Sequence, residues 1–199
     1  MDYKESIFLP KTNFEMRGNL PTKEPNIEKF WNENNIYQKM LASNNKDKAF
    51  YLHDGPPYAN GNMHIGHALN KILKDIIVRY KNMNGYYAPI IHGWDTHGMP
   101  IEVALQKKGL SLKNTTVTDF RAKCEEFALK QVKIQRGQVQ RLGVWGAFGS
   151  EDGLLDEQDS TRPYLTLQKQ FEAKQIEVFA KMALDGHIYK GLKTVHWSP

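Results

Sequence analysis

The segment that most constrains the fold joins a short apolar run to a long amphipathic helix through a loop rich in glycine, proline and asparagine. The apolar run is Phe50–His53, the loop extends to Asn62, and the helical pattern begins at Ile65. Apolar residues then recur at the spacing of one helical face: Ile65, Leu69, Ile72, Leu73, Ile76, Ile77 and Tyr80. Gly85 ends the helix, and a second β-like run covers 86–92. This order predicts a βαβ unit and an α/β fold.

The expected crossover brings the ends of both strands to one edge of a parallel sheet. Gly55–Pro56 follow the first strand, Gly93–Asp95 follow the second, and the helix start at His64–His67 opens onto the same crevice. A helix start offers unpaired N–H groups and the positive end of a dipole, and Gly66 leaves room for a flat ligand. The pattern therefore predicts a nucleotide phosphate site. The carboxylate of Asp95 predicts an anchor for a cation, such as an amino group.

Each of these residues also has a plainer interpretation. A single histidine at a helix start is more often a cap or a surface residue, and Pro56–Pro57 alone indicate only a rigid turn. Asp95 could cap the next helix, but Pro100 is the expected first residue there, which leaves Asp95 too far upstream. The coincidence of two histidines, a glycine and a strand–loop–helix context favours the site.

The segment His64–His67 resembles the HIGH motif of class I aminoacyl-tRNA synthetases. Its flanks, 54–61 and 68–71, and the segment 93–102 are similar to the isoleucyl-tRNA synthetases of the bacterial type, whereas the valyl and leucyl enzymes differ in both flanks. The similarity runs along most of the chain. It departs at 149–160, which is longer and more acidic than the family pattern.

The resemblance implies the first half of a Rossmann-type nucleotide-binding fold, with a parallel sheet flanked by helices and an N-terminal helical arm. It divides the chain into an arm and helix at 1–45 and the first half of the catalytic domain at 46–199, which ends at the edge of the expected editing insertion. On this basis the chain is expected to be the front of a longer enzyme. The second signature loop and the editing, anticodon-binding and zinc-binding parts would lie elsewhere, and little activity is expected of the 199 residues alone.

The resemblance also implies roles for particular residues. The ATP site would comprise Pro57, Tyr58, Ala59, Asn60, Gly61, His64, Gly66 and His67. His64 and His67 would be catalytic, as donors to the ATP phosphates. Gly55, Pro56 and Asp95 would bind isoleucine, with Asp95 holding its ammonium group. The implied reaction activates L-isoleucine with ATP and Mg²⁺ and transfers it to tRNA(Ile). No metal site is expected within this stretch, and the enzyme is expected to be a monomer.

Composition adds weaker constraints. The net charge of +5 suits a polyanionic partner, although many basic proteins bind no nucleic acid. A single cysteine, Cys124, excludes an internal disulfide and a cysteine-based zinc site. Neither a membrane span nor a signal peptide is visible in the sequence, and we expect a cytoplasmic protein.

The remaining pattern predicts an extended arm over 1–23, a helix from Pro25 to Leu41, and a solvated turn at 44–48. Further helices are expected at 100–108, 118–142 and about 164–185, and short strands at 188–190 and 194–197. The acidic stretch from Glu151 to Ser160 is interpreted as a dispensable loop. Buried positions are expected on the last two helices: Phe120, Cys124, Phe127, Ala128, Ile134, Val139 and Leu142 on one, and Leu167, Phe171, Val178, Phe179 and Met182 on the other.

Two other functions stay open from the sequence. The chain could be a non-catalytic fragment or paralogue that acts as a binding module. A small nucleotidyltransferase of cofactor synthesis also carries His-x-Gly-His at a helix start, but it lacks the flank seen at 93–98.

Overall fold

The computed structural model describes residues 3–8, 12–110, 113–150, 153–156, 158–159 and 161–197. A short 3-10 helix covers Tyr3–Ser6. The α-helices are α1 (Leu20–Glu33), α2 (Ile36–Ser43), α3 (Ile65–Met83), α4 (Met99–Gln106), α5 (Val117–Arg141) and α6 (Lys169–Leu184). The strands are β1 (Asn45–Ala49), β2 (Tyr86–Tyr87), β3 (Gly93–Trp94) and β4 (Tyr164–Leu165).

The segment 86–95 contains the short strands β2 and β3 and forms backbone pairs on both of its sides. On one side it pairs in parallel with β1 through β2, and Asp95 pairs with Tyr58. On the other side Ile91 pairs with Ala147, and β3 pairs in parallel with β4. The backbone carbonyls of this segment point alternately to its two sides. The Tyr87 carbonyl accepts from the Phe50 N–H group on one side, and the His92 carbonyl accepts from the Tyr164 N–H group on the other. The parallel βαβ unit and the α/β class are therefore confirmed.

The first strand lies earlier than predicted. The sequence pattern indicates a solvated turn at 44–48, but β1 occupies Asn45–Ala49, and all five of its residues are exposed. An edge strand tolerates exposed lysines, which is why its polar composition does not signal it. Phe50 and Leu52, expected to form the strand, instead pack against the small core of Val78, Ala88 and Ile90.

Several helix bounds also differ from expectation. α1 begins at Leu20 rather than Pro25, because Pro21 occupies an early position where its missing N–H group costs little. Asn35, in the left-handed conformation at φ 50°, separates α1 from α2. α6 begins at Lys169 because Tyr164–Leu165 form β4. The strands predicted at 188–190 and 194–197 are not formed.

The main core lies between α5, α4 and β3. Its buried members include Trp94, Ile101, Leu105, Phe120, Phe127, Ala128, Val132, Val139 and Leu165. Ile134 and Leu142, expected in the core, are exposed. Leu154, within the acidic stretch, is buried in the core, so that shortening this stretch would remove a packed side chain. Glu151, Asp152, Glu157, Ser160 and Ser198–Pro199 lie outside the described residues.

α3 faces the core with the side opposite to its apolar stripe. Its buried residues are Lys71, Asp75, Val78 and Asn82. The seven apolar residues of the predicted face, from Ile65 to Tyr80, are all exposed. α6 has no buried residue, and Val178, Phe179 and Met182, which were expected to be buried, are exposed. Among the described residues, none of the helices combines the length and apolar content that crossing a bilayer requires.

Candidate active site

The two histidines at the start of α3 cap the helix reciprocally. Nδ1 of His64 accepts a hydrogen bond from the Gly66 N–H group at 3.1 Å, and Nδ1 of His67 accepts one from the His64 N–H group at 3.2 Å. The two ring centroids are 3.9 Å apart. Because each Nδ1 is an acceptor, a neutral ring carries its proton on Nε2. Both imidazoles therefore have an Nε2–H group to offer to a ligand oxygen.

The environment of His67 favours its neutral form. Partial burial lowers the pKa of the His67 imidazole, and the nearby His64 and Lys71 lower it further. Gly66 lies directly under the His64 ring, since a Cβ atom built there would be 3.0 Å from Cε1. The absence of a side chain at this position therefore lets the His64 ring close over the helix start.

The loop between β1 and α3 contacts the residue that follows β3, as the βαβ topology requires. The Asp95 N–H group donates to the Pro57 carbonyl at 2.8 Å, and the Ala59 N–H group donates to the Asp95 carbonyl at 2.8 Å. α4 is capped by Gly98, so Asp95 does not serve as its cap. The half-buried Asp95 carboxylate accepts from Thr166 Oγ1 at 3.2 Å. Its other oxygen has no partner among the residues that the structure describes.

The loop between this edge and the histidines is held by α5. Gln135 donates to the carbonyls of Tyr58 and Gly61 at 3.0 and 2.6 Å and accepts from Trp94 Nε1 at 2.9 Å. Gln138 accepts from the Met63 N–H group at 2.9 Å. Within the predicted ATP segment Pro57 and Ala59 are buried, Gly61 is half-buried, and Tyr58 and Asn60 are exposed.

Sequence reasoning missed Tyr164, which closes the site from β4. Its ring stacks between His53 and Phe171, at centroid distances of 5.7 Å on both sides. It also lies against Gly93, where a Cβ atom would fall 2.0 Å from Tyr164 Cζ. The Tyr164 hydroxyl donates to the Asp54 carbonyl, and burial, with the nearby Asp54 and Asp95, raises its pKa to about 12. Tyr164 is therefore a neutral donor.

Asp54 is a second residue that the sequence did not single out. Its buried carboxylate accepts from Lys71, from Lys74 at 2.8 Å and from the Gly93 N–H group at 3.2 Å. Nδ1 of His92 lies 3.5 Å away, at the outer limit of a hydrogen bond, and has no closer partner among the described residues. Burial acts to raise the pKa of Asp54, but the contacts with His92, Lys71 and Lys74 outweigh it and hold that pKa well below its usual value.

Two cavities lie beside this edge rather than at the histidines. A cavity of about 680 Å³ is bounded by Thr96–Gly98, α4 and the start of α5. A second, of about 570 Å³, reaches Asn60 and Gly61 of the predicted ATP segment. Neither is lined by His64, His67 or Asp95. Within the described ranges, no three histidine, cysteine or acidic side chains cluster closely enough to hold a metal ion.

The chain is similar to known synthetases along its full length. It is 56% identical over 199 residues to the isoleucine–tRNA ligase of Staphylococcus saprophyticus and 54% identical to that of Staphylococcus haemolyticus. Each alignment covers 100% of this chain and 20% of the relative, so that the chain spans about a fifth of the length of the curated relatives it matches.

A solved structure shows the same fold. The crystal structure of the ternary complex of Agrobacterium radiobacter K84 agnB2 LeuRS with tRNA and LeuAMS superposes with a TM-score of 0.60 at 21% identity, covering 87% of this chain and 19% of that one. In addition, the family described as tRNA synthetases class I (I, L, M and V) matches residues 26–199. Because this match covers most of the sequence, the chain belongs to the class I tRNA synthetases of the I, L, M and V group.

Proposed function

We propose that this chain is the part of an isoleucine–tRNA ligase that binds ATP and isoleucine and joins them. The observation that carries the proposal is the pair of hydrogen bonds linking Asp95 to Pro57 and Ala59, on the loop that leads into the capped imidazole pair. This arrangement supports one cleft for an ammonium group and a triphosphate. The isoleucine–tRNA ligases that are 54–56% identical support the choice of amino acid.

In the proposed reaction, the isoleucine carboxylate attacks the α-phosphorus of ATP. A bond forms between a carboxylate oxygen and phosphorus, the bond to the bridging oxygen breaks, and pyrophosphate leaves with that electron pair. Because no covalent enzyme intermediate is required, the protein contributes positioning and electrostatic stabilisation. His64 and His67 donate from Nε2 to phosphate oxygens. Gly66 lets the adenosine approach the helix backbone once the His64 ring, which lies over Gly66, moves aside.

The amino acid occupies the other end of the proposed cleft. The free oxygen of Asp95 accepts from the isoleucine ammonium, and Gly55 and Pro56 form the wall against its side chain. The segment 57–61 lines the ATP site. An apolar pocket separates isoleucine from valine by only about 1–3 kcal/mol, which is why such an enzyme benefits from a separate editing site.

The remaining parts of the proposal concern the whole protein. The acyl group passes to the terminal ribose of tRNA(Ile), as suits a family whose LeuRS member was crystallised with tRNA. Mg²⁺ accompanies ATP, and any zinc lies outside these residues. We further propose a monomeric, cytoplasmic enzyme in which 1–45 form an arm and helix and 46–199 the first half of the catalytic domain.

A chimera tests the proposal directly. This chain replaces the matching fifth of the Staphylococcus saprophyticus ligase, and isoleucine-dependent exchange of pyrophosphate into ATP is measured with valine and leucine as controls. We expect exchange with isoleucine, less with valine and none with leucine. A folded chimera that exchanges with none of the three would indicate a non-catalytic binding module instead.

Substitutions in the same chimera test the two ends of the cleft. Asp95→Asn is expected to raise the KM for isoleucine well above any change for ATP, because it weakens the anchor for the ammonium group. His64→Ala is expected to depress exchange far more than isoleucine binding. Equal effects of Asp95→Asn on both substrates would contradict the assignment of the anchor.

A further inference from the structure

The buried carboxylate of Asp54 joins the elements that build the proposed cleft. Through Lys71 and Lys74 it contacts α3, and through the Gly93 N–H group it contacts β3. Its backbone carbonyl accepts from the Tyr164 hydroxyl of β4. One residue therefore contacts three elements that are otherwise distant in sequence.

The contacts of Asp54 lie next to each proposed binding group. Lys71 is one helical turn beyond His67 on α3. Gly93 is two residues before Asp95, and Asp54 itself immediately precedes the Gly55–Pro56 wall. The Asp54 carboxylate therefore connects the helix that carries the imidazoles with the strand that leads to the proposed amino acid site.

Burial makes this linkage stiff. The side chains of Asp54 and Lys71 are 0% and 2% exposed, whereas Lys74 is 17% exposed. Water therefore cannot replace either partner of the Asp54–Lys71 pair. Removing Asp54 leaves the Lys71 charge buried without its counter-charge, and removing Lys71 leaves Asp54 with only the more exposed Lys74. A break here displaces the start of α3 relative to the strand edge.

We infer that Asp54 is a positioning residue for adenylate formation, whose buried carboxylate fixes the imidazole pair of α3 relative to Gly55, Pro56 and Asp95. This inference rests on the proposed function. The Asp54 carboxylate does not touch the substrate. It acts through Lys71 on one side and through the Gly93 backbone on the other.

Asp75 provides a matched control. It is a second buried acid facing inward from α3, and it accepts from Arg79 Nε at 2.6 Å and from the Trp145 N–H group at 3.0 Å. Those contacts fasten α3 to the segment after α5, away from the strand edge that carries Asp95. Asp75→Asn therefore removes the same charge from the same interface without breaking the proposed linkage.

The experiment compares Asp54→Asn, Lys71→Met and Asp75→Asn in the chimera by pyrophosphate exchange, below the melting temperature of each variant. We expect Asp54→Asn and Lys71→Met to lower kcat by about 100-fold, more than they change either KM, because a displacement of about 1 Å has that effect on reacting groups. Asp75→Asn should keep kcat within about twofold. An active chimera in which Asp54→Asn also stays within that range would overturn the inference. Lys71→Met, which leaves Asp54 paired with Lys74, decides by the same criteria if Asp54→Asn does not fold.

A second measurement separates this inference from the proposed function. Amide hydrogen exchange of the 199-residue chain reports the linkage without chemistry. Asp54→Asn is expected to speed exchange at Ala59, Asp95 and Ala68 by at least about 10-fold relative to core amides of α5, whereas Asp75→Asn should speed that of Trp145. An inactive chimera together with the expected exchange pattern would reject the proposed function but keep the linkage. Unchanged exchange at Ala59, Asp95 and Ala68 would reject the linkage itself.

Discussion

The inner side of α3 is mostly polar and its outer side is apolar, which is the reverse of the usual amphipathic helix. The inner side buries Lys71, Asp75 and Asn82 with Val78, and the outer side exposes a continuous apolar stripe. Isolated apolar residues on a surface are ordinary, but a stripe of this length marks a surface suited to contact. α3 is therefore oriented by specific polar partners on its inner side rather than by apolar burial.

The polar side works because each polar group has partners. Asn82 donates to the carbonyls of Val78 and Ala88 at 2.9 and 2.8 Å and accepts from Asn44 at 3.0 Å. Arg79 lies over the Trp145 ring at 3.8 Å while it pairs with Asp75. Satisfied buried networks of this kind specify one orientation, whereas apolar contacts are largely non-directional.

The largest effect is expected from a substitution of Asp54, which contacts the inner side of α3 through Lys71. Asp54→Leu leaves the Lys71 charge buried without its counter-charge, and we expect a loss of about 3–5 kcal/mol in the free energy of unfolding. Urea denaturation of the 199-residue chain measures it. Glu126→Leu, which breaks an exposed pair with Lys123, is the control and should change stability little. Equal losses for the two would show that the inner pair is not buried in solution.

Acid should weaken the contacts on the inner side of α3, because it protonates the Asp54 carboxylate. The pKa of Asp54 is lower in the folded chain than in the unfolded one, so its contribution to stability is complete above the unfolded value, near 4, and is lost as the pH falls toward the folded value. We expect the melting temperature to fall below about pH 4 more steeply for the parent chain than for Asp54→Asn. Parallel melting curves for the two would contradict this.

Asn82 tests the hydrogen bonds of the inner side without a charge. Asn82→Ala removes partners from the Ala88 N–H and carbonyl groups and from Asn44, and should cost about 1–3 kcal/mol. Thermal and urea unfolding measure the loss. Asn84→Ala, at the exposed end of α3, is the control and should have the smaller effect. Equal losses of stability for Asn84→Ala and Asn82→Ala would contradict the role given to the buried hydrogen bonds.

The smallest effect is expected on the outer side. Leu73→Gln should change the free energy of unfolding by less than about 0.5 kcal/mol, because Leu73 is 52% exposed. The inner neighbour Val78, which is 1% exposed, should lose about 2 kcal/mol on Val78→Ala. A large loss at Leu73 would mean that the outer side is covered in solution.

The sequence predicted the local structure well and the long-range partners poorly. The bounds of α3, α4 and α5 follow from periodicity and end signals. The predicted parallel βαβ unit is formed, with a hydrogen bond from Asp95 to Pro57, the residue after the predicted Gly55–Pro56 pair. The orientation of α3 was wrong, because the partners of Lys71 and Asn82 come from distant segments that no periodicity reveals. β1 was missed because its residues are polar and exposed.

The candidate site was predicted only in part for the same reason. The roles of His64, His67 and Asp95 stay predictions, although the structure places Asp95 on the edge that leads to them. Tyr164 and Gln135 were missed, since each acts through contacts 70 or more residues away in sequence, such as Tyr164 with Asp54 and Gln135 with Tyr58. The signal for Gln135 was its position on the buried side of α5, where a polar side chain needs hydrogen-bond partners.

The reciprocal imidazole cap has a consequence for how the protein responds to acid. Each ring uses one nitrogen to begin the helix and keeps the other for a ligand, so a proton added at Nδ1 of His67 removes the acceptor of the His64 N–H group. Fraying of the first turn and loss of affinity for a triphosphate would then follow the same titration. The lowered pKa of His67 confines that joint failure to acidic solution.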